Sequence, residues 1–314
     1  MRVLVTGGAG FIGSHVADAL LLASHEVMVL DDLSTGRAAN VPAGAKLTVG
    51  DIRDVALVDR LFADFRPDVV THQAAQTSVA VSTREPLRDA EVNVLGSINI
   101  LGACVKHKVR KLVFASTGGA IYGDVPDGKR AGTDWAPNPL SPYACSKFAG
   151  ENYLNAYAKE HGLRSTVLRY ANVYGPRQDP HGEAGVVAIF AQRLLGGEGI
   201  QINARREHGD AGCVRDYVYV ADVVRANMLA IEDKLAHSPV NVCTGEATTT
   251  LELAHIMERA AGVQAKLGYG PRREGDVQRS VLDPGTPSVL GPAVSLSEGI
   301  AKTVAWFRES KPAT

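Results

Sequence analysis

The 314-residue chain is poor in cysteine, has no long apolar run and carries no block of like charge. Its four cysteines, Cys104, Cys145, Cys213 and Cys243, are scattered without C-x-x-C spacing, which suits a reducing compartment. No apolar stretch approaches the roughly 18 residues that a membrane span needs, and the strand-like N-terminus lacks a signal-peptide pattern. Lysine plus arginine total 33 against 34 acids, a net charge of −1, so nucleic acid and anionic membranes are poor partners. His181, His208 and Cys213 lack metal-ligand spacing, and no metal is expected. There are no repeats or low-complexity segments. These absences leave a cytoplasmic protein of one large domain or two modest ones.

What is present is alternation. Strand-like runs at Val3–Val5, Val27–Leu30, Lys46–Val49, Val69–Thr71, Lys111–Ala115 and Ser165–Arg169 are separated by helical patterns. The helix candidates are Phe11–Leu22, Val55–Phe65, Asp89–Lys106 and Tyr143–His161. This is the grammar of a Rossmann-type α/β fold, a doubly wound parallel sheet. From about Gly175 the texture turns to Pro, Gly and charged residues, which predicts a smaller α+β substrate domain. Val214–Val220 and Asp222–Ile231 read again as sheet-domain strand and helix. The expected partition is therefore 1–176 plus about 211–235 for nucleotide binding, and about 177–210 plus 236–314 for substrate.

The first strand enters a turn carrying Gly7, Gly10 and Gly13, followed by a helix that opens on Phe11 and Ile12. Glycines let the backbone approach a pyrophosphate, and the helix N-terminus offers it free N–H groups. Asp31 and Asp32 close the second strand, where a carboxylate holds a ribose diol and repels a 2′-phosphate, favouring NAD over NADP. Tyr143 and Lys147, four residues apart, share one helical face. A tyrosinate useful at neutral pH needs its pKa lowered by about 3 units, roughly 4 kcal/mol. One positive charge at ~4 Å, with an effective dielectric of ~20, supplies about that much. Ser116 and Thr117 end the strand Lys111–Ala115, where hydroxyls face the cofactor crevice.

With this hydroxyl–Tyr–Lys set the chain resembles the extended short-chain dehydrogenase/reductases, and among them nucleotide-sugar epimerases of the UDP-glucose (UDP-galactose) 4-epimerase type. The resemblance covers nearly the whole length. It includes His72-Gln-Ala-Ala75, Val92-Asn93, Arg169-Tyr-Ala-Asn-Val-Tyr-Gly-Pro-Arg177, Val214-Arg-Asp-Tyr-Val-Tyr-Val220 and Arg272-Arg-Glu-Gly-Asp276. It implies NAD contacts from Gly7, Gly10, Gly13, Asp31, Asp51, Ile52, Ala74, Ala75, Gln76, Asn93, Tyr143, Lys147 and Tyr170. It further implies UDP contacts from Asn172, Arg215, Arg273 and Asp276, and guanidinium donors suit a pyrophosphate. One residue more than the usual family spacing separates the Ser-Thr pair from Tyr122-Gly123. Thr117 is favoured as the catalytic hydroxyl, and Ser116 stays open. Asp31-Asp32 stands where the family usually has Asp-Asn.

The implied activity is isomerisation through a 4-keto sugar. Alternatives are a uronate epimerase or other nucleotide-sugar oxidoreductase, a 4,6-dehydratase, and a non-catalytic NAD-binding protein. The related dehydratases carry an Asp-Glu pair after the catalytic Thr, where this chain has Gly118-Gly119. The resemblance also implies a homodimer through helices 89–106 and 143–161, with Val94, Ile98, Leu101, Tyr153 and Tyr157 supplying apolar surface. Ser280, four residues after Asp276, falls where a bulky aromatic restricts such pockets to hexoses, so an N-acetyl group is expected to fit. The polar loop 178–185 is expected to face sugar or water.

Overall fold

A computed structural model describes the chain except residues 182–184, 236, 274–275, 286–287, 289 and 311–314. Parts of the 178–185 loop and of the 272–276 motif thus lie outside the described residues. The strands are β1 (Arg2–Thr6), β2 (Glu26–Asp31), β3 (Lys46–Val49), β4 (Val69–His72), β5 (Lys111–Thr117), β6 (Arg164–Tyr170), β7 (Asn172–Tyr174), β8 (Ile200–Asn203), β9 (Val214–Arg215), β10 (Tyr217–Tyr219), β11 (Val240–Val242), β12 (Thr248–Thr249), β13 (Leu267–Gly270) and β14 (Arg279–Ser280). The α-helices are α1 (Phe11–Leu22), α2 (Val55–Phe65), α3 (Val79–Arg84), α4 (Pro86–Ala90), α5 (Ser97–Lys106), α6 (Gly118–Ile121), α7 (Pro142–His161), α8 (Val186–Leu195), α9 (Val220–Ile231), α10 (Thr250–Ala261) and α11 (Leu296–Glu309).

Two compact units divide the chain: Met1–Thr117, Pro137–Arg169 and Val223–Val240 form one, and Gly118–Ala136, Tyr170–Asp222 and Asn241–Thr314 the other. Residues 118–136, 170–176 and 211–222 thus group with the second unit, whereas the sequence pattern alone assigns them to the first.

The central sheet has strand order β11-β6-β5-β4-β1-β2-β3. In parallel register Thr6 lies opposite Leu30 on one side and His72 on the other. The order reverses between β1 and β4, so the carboxyl end of β1 is the switch point where such sheets bind ligands. Val3, Leu4 and Val5 are all buried, as a sheet covered on both faces requires. One face packs Leu4, Phe62, Ile100, Leu112 and Phe114 into a single cluster, each side chain contributing about 1.5–3 kcal/mol.

The sequence sets α7 firmly. Ser141 accepts a hydrogen bond from the Ala144 N–H at 3.2 Å and Pro142 takes the first turn, an N-terminus signature that puts Tyr143 at the start. Gly150 lets α7 close on β5, since a Cβ there would lie 2.6 Å from Phe114 Cζ.

Two expected elements differ. Segment 89–106 is not one α-helix: a π-helical segment, Glu91–Gly96, joins α4 to α5. Asn93 within it bonds Gln76 and Ser146, and these side-chain bonds accompany the wider turn. Val214–Val220 is not a strand of the central sheet. It splits into β9, in a three-stranded sheet ordered β12-β9-β14, and β10, paired with β7. Asp216 at the break is fully buried and accepts bonds from Thr244, Gly245 and Leu282. Those bonds offset the cost of burying the carboxylate where the strand breaks. The second unit also pairs β13 with β8, and α10 packs against α8 and α11.

Candidate active site

In the first unit, the turn after β1 is built by contact. Gly7 has φ +69°, and a Cβ on Gly13 would fall 2.1 Å from the Gly7 carbonyl oxygen. Helix α1 therefore starts directly against the turn, with Gly10 as its cap. Among the described residues no side chain caps it and its first turn holds no acid, so the N–H groups around Phe11, Ile12 and Gly13, at the positive dipole end, lack an acceptor within the helix. This cradle fits a dinucleotide pyrophosphate.

Asp31 is buried, and its two carboxylate oxygens accept from the Ala9 and Leu33 N–H groups, both at 2.9 Å. Burial raises its pKa, with those bonds opposing. Asp32 is engaged locally with Ser34. Asp51 pairs with Arg53 at 2.6 Å, which lowers its pKa. Ile52 beside it is buried, and its carbonyl accepts from Asn99. Ala74, Ala75 and Gln76 follow β4, and the Ala74 N–H reaches Thr6 Oγ1 at 3.3 Å.

A buried polar chain runs from this region to α7. Thr6 Oγ1 lies 2.6 Å from His72 Nδ1, and His72 Nε2 lies 3.0 Å from Ser97 Oγ. Ser97 Oγ donates to the Asn93 carbonyl at 2.6 Å, and Asn93 Nδ2 donates to Ser146 Oγ at 3.0 Å. Ser146 Oγ then donates to the Tyr143 carbonyl at 3.0 Å. Sequence reasoning finds Asn93 but misses Thr6, Ser97 and Ser146, whose hydroxyls carry no local pattern. Lys147 is buried, with Nζ 4.4 Å above the Phe114 ring. Burial pushes its ammonium down to about 8, opposed by the carboxylates of Glu151 and Asp89.

Ser116 and Thr117 diverge. Successive strand residues face opposite sides, and Ser116 Oγ donates to Glu151 Oε1 at 2.5 Å. Glu151 also pairs with Arg169 at 2.6 Å, both side chains being buried. Glu151 continues the Tyr143, Lys147 spacing by another four residues, and that spacing is the sequence signal that could have singled it out.

Tyr170, Asn172, Arg215, Arg273, Asp276 and Ser280 all lie in the second unit. The Asn172 N–H bonds the Asp216 carbonyl at 2.9 Å, one residue from Arg215, and Arg215 lies opposite Ser280 in parallel register. Among the described residues Asn172 Nδ2 is buried without a partner. A Cβ on Gly119 would lie 3.5 Å from it. Arg273 follows β13, whose Gly270 pairs with Asn203. With its amide oxygen turned toward Arg273, Asn203 accepts from Nε at 2.8 Å. The Asp276 carbonyl accepts from Gln278 Nε2 at 2.6 Å. Ser280 is a buried strand residue.

Residues 3–243 match the NAD dependent epimerase/dehydratase family. The chain belongs to that family. It is 46% identical over 316 residues to the UDP-glucose 4-epimerase of Mycolicibacterium smegmatis, covering 98% of this chain and 99% of that one. Among solved structures it resembles the UDP-glucose 4-epimerase of Thermus thermophilus in complex with NAD, at 52% identity and a TM-score of 0.94, covering 99% of this chain and all, 100%, of that one. The Thermotoga maritima UDP-glucose 4-epimerase with UDP-glucose is 46% identical, with a TM-score of 0.93 over 99% of each chain. The family member described here thus has the expected Rossmann-type fold.

Proposed function

We propose that this family member is an NAD-dependent isomerase interconverting UDP-glucose and UDP-galactose through a 4-keto sugar. The observation that carries the reading is the buried Lys147 four residues from Tyr143 on α7, in the same unit as the glycine cradle. The similarity to UDP-glucose 4-epimerases over nearly the whole chain supports the substrate.

Gly7, Gly10, Phe11, Ile12 and Gly13 would hold the pyrophosphate of NAD. Asp31, Asp51, Ile52, Ala74, Ala75, Gln76, Asn93 and Tyr170 would serve the rest of the dinucleotide. Bound NAD supplies a hydride acceptor and donor for the sugar C4′. Tyr143 takes the proton of the 4′-hydroxyl and returns it after the keto sugar turns over, and the Lys147 ammonium holds the phenolate at neutral pH. Thr117 shares that hydrogen bond; the engagement of Ser116 with Glu151 supports this choice. Asn172, Arg215, Arg273 and Asp276 would hold UDP. Asn172 Nδ2, without a partner among the described residues, supports this, because a buried donor asks for an acceptor. Gly118-Gly119 supplies no acid–base pair, which supports epimerisation over elimination. The purified protein is expected to convert UDP-galactose to UDP-glucose without added NAD, and Tyr143→Phe to lower kcat by ~10³ or more at an unchanged melting temperature. A Tyr143→Phe variant keeping more than about a tenth of the activity would sink the assignment.

The assembly is proposed as a homodimer through segment 89–106 and α7. Leu95, 59% exposed, and Tyr153, 40% exposed, support it. Leu101 is removed from that surface, being buried in the core, and Tyr157 packs against the core as well. A light-scattering mass matching the 33.2 kDa chain at micromolar concentration would rule the dimer out. The four free cysteines support the cytoplasm as its compartment.

A further inference from the structure

In the second unit one side chain holds a loop of eight residues. Arg279, the first residue of β14, is 6% exposed. Its Nη1 donates to the Pro126 and Lys129 carbonyls, both at 2.7 Å, and at 3.4 Å to that of Val125. The Val125 N–H donates back to the Arg279 carbonyl at 2.9 Å. The Asp124 carboxylate accepts from the Gln278 and Arg279 N–H groups. Farther along, the Ala131 N–H donates to the Val281 carbonyl at 3.0 Å, and the Asp283 N–H to the Ala131 carbonyl at 2.9 Å. Segment 124–131 is thereby stitched along 278–283, with the guanidinium filling the inside of the turn. Asp127, half exposed, also meets Arg279 Nε at 3.6 Å and takes ion pairs from Arg205 and Arg206 at 2.6 and 2.8 Å. With the Asp127 carboxylate half in solvent, these ion pairs are screened and contribute little. The charge-assisted bonds from a buried guanidinium to backbone carbonyls carry the hold.

Strand alternation turns Ser280 to the face opposite Arg279, and Ser280 is itself 2% exposed and registered with Arg215. We propose that Arg279 is a positioning residue for sugar recognition: by locking segment 124–131 to β14 it fixes the surface that carries Ser280, and so sets how tightly the hexose of a UDP-sugar is held, apart from the UDP moiety. The inference rests on the UDP-sugar reading given above.

The test is calorimetry of UDP and of UDP-glucose, with steady-state kinetics on UDP-galactose, for wild type, Arg279→Ala, Arg279→Lys and Asp127→Asn. Arg279→Ala is expected to weaken UDP-glucose about tenfold and raise KM for UDP-galactose as much, with UDP affinity and kcat changing less than about threefold. Arg279→Lys should recover part of the loss, because an ammonium donates to carbonyls but cannot span the same fork. Asp127→Asn should stay near wild type in every reading. Equal weakening of UDP and UDP-glucose by Arg279→Ala, or a lower melting temperature with both affinities unchanged, overturns the proposal. Should Arg279→Ala fail to fold, Arg279→Lys decides alone: UDP-glucose weakened by about threefold with UDP unchanged supports the role, and both unchanged overturns it. Failure of the epimerase reading shows separately, as a wild type inert on UDP-galactose, while the difference between UDP and UDP-glucose binding still reads Arg279.

Discussion

Acidification is expected to destabilise the first unit through His72. The ring is 1% exposed, and its bonds assign one neutral tautomer. Ser97 Oγ donates its proton to the Asn93 carbonyl, so it accepts from His72 Nε2–H, and Thr6 Oγ1 donates to Nδ1. A second ring proton, on Nδ1, would face the Thr6 hydroxyl, which must then turn its own proton away, and would put a charge in a site closed to water. Burial first, and the nearby Lys147 charge second, lower the His72 pKa from 6.5 to about 3. The folded pKa lies below the unfolded one, so between those values the unfolded chain binds more protons. The contribution is whole above pH 6.5 and drains as pH falls toward 3. At about 1.36 kcal/mol per unit, the fall from pH 6.5 to 5 removes about 2 kcal/mol. Urea unfolding of wild type and His72→Asn at pH 7 and at pH 5 measures it as a double difference. Asp31 and Asp216, whose pKa values burial raises, act alike in both proteins and cancel. His72→Asn should be less stable at pH 7 and should show about 2 kcal/mol less pH dependence. Equal pH dependence in the two proteins would refute the neutral buried imidazole.

Gly13→Ala would set a methyl 2.1 Å from the Gly7 carbonyl oxygen and 2.9 Å from Gly8 Cα. Helix α1 must then back away from the turn, and NAD retained on purification, read by acid release and enzymatic assay, should fall at least about tenfold; full retention would contradict the cradle. Thr117→Val should lower kcat by ~10² or more, while Ser116→Ala, which only frees Glu151, should keep kcat within about fivefold; the opposite ranking in a UDP-galactose assay would move the catalytic role to Ser116. Wild type should also turn over UDP-N-acetylglucosamine, and Ser280→Tyr should suppress that activity selectively because a ring fills the buried strand position. Equal loss of both activities, or a wild type active only on the non-acetylated pair, would discard the steric gate.

The parts of the fold that are legible in the sequence are those written in short windows. The apolar runs before Gly7 and Asp31 form β1 and β2, and Ser141-Pro142 announces the start of α7. Turn chemistry, capping and periodicity act within a few residues, so they leave local traces. What the sequence conceals depends on partners far along the chain. Asp216 interrupts an apolar stretch because Thr244, Gly245 and Leu282, 28, 29 and 66 residues on, satisfy its carboxylate. The π-helical segment surrounds Asn93, which is tied to Gln76 and Ser146, 17 and 53 residues away. The choice between Ser116 and Thr117 has the same origin. Period-two alternation says only that two neighbouring hydroxyls face opposite sides. Which side receives Glu151 is decided by the packing of α7 on β5, and that rests on Gly150 meeting Phe114, a contact between residues far apart in sequence. Residue types name the candidates for chemistry, and tertiary contacts decide which candidate is occupied with holding the fold together.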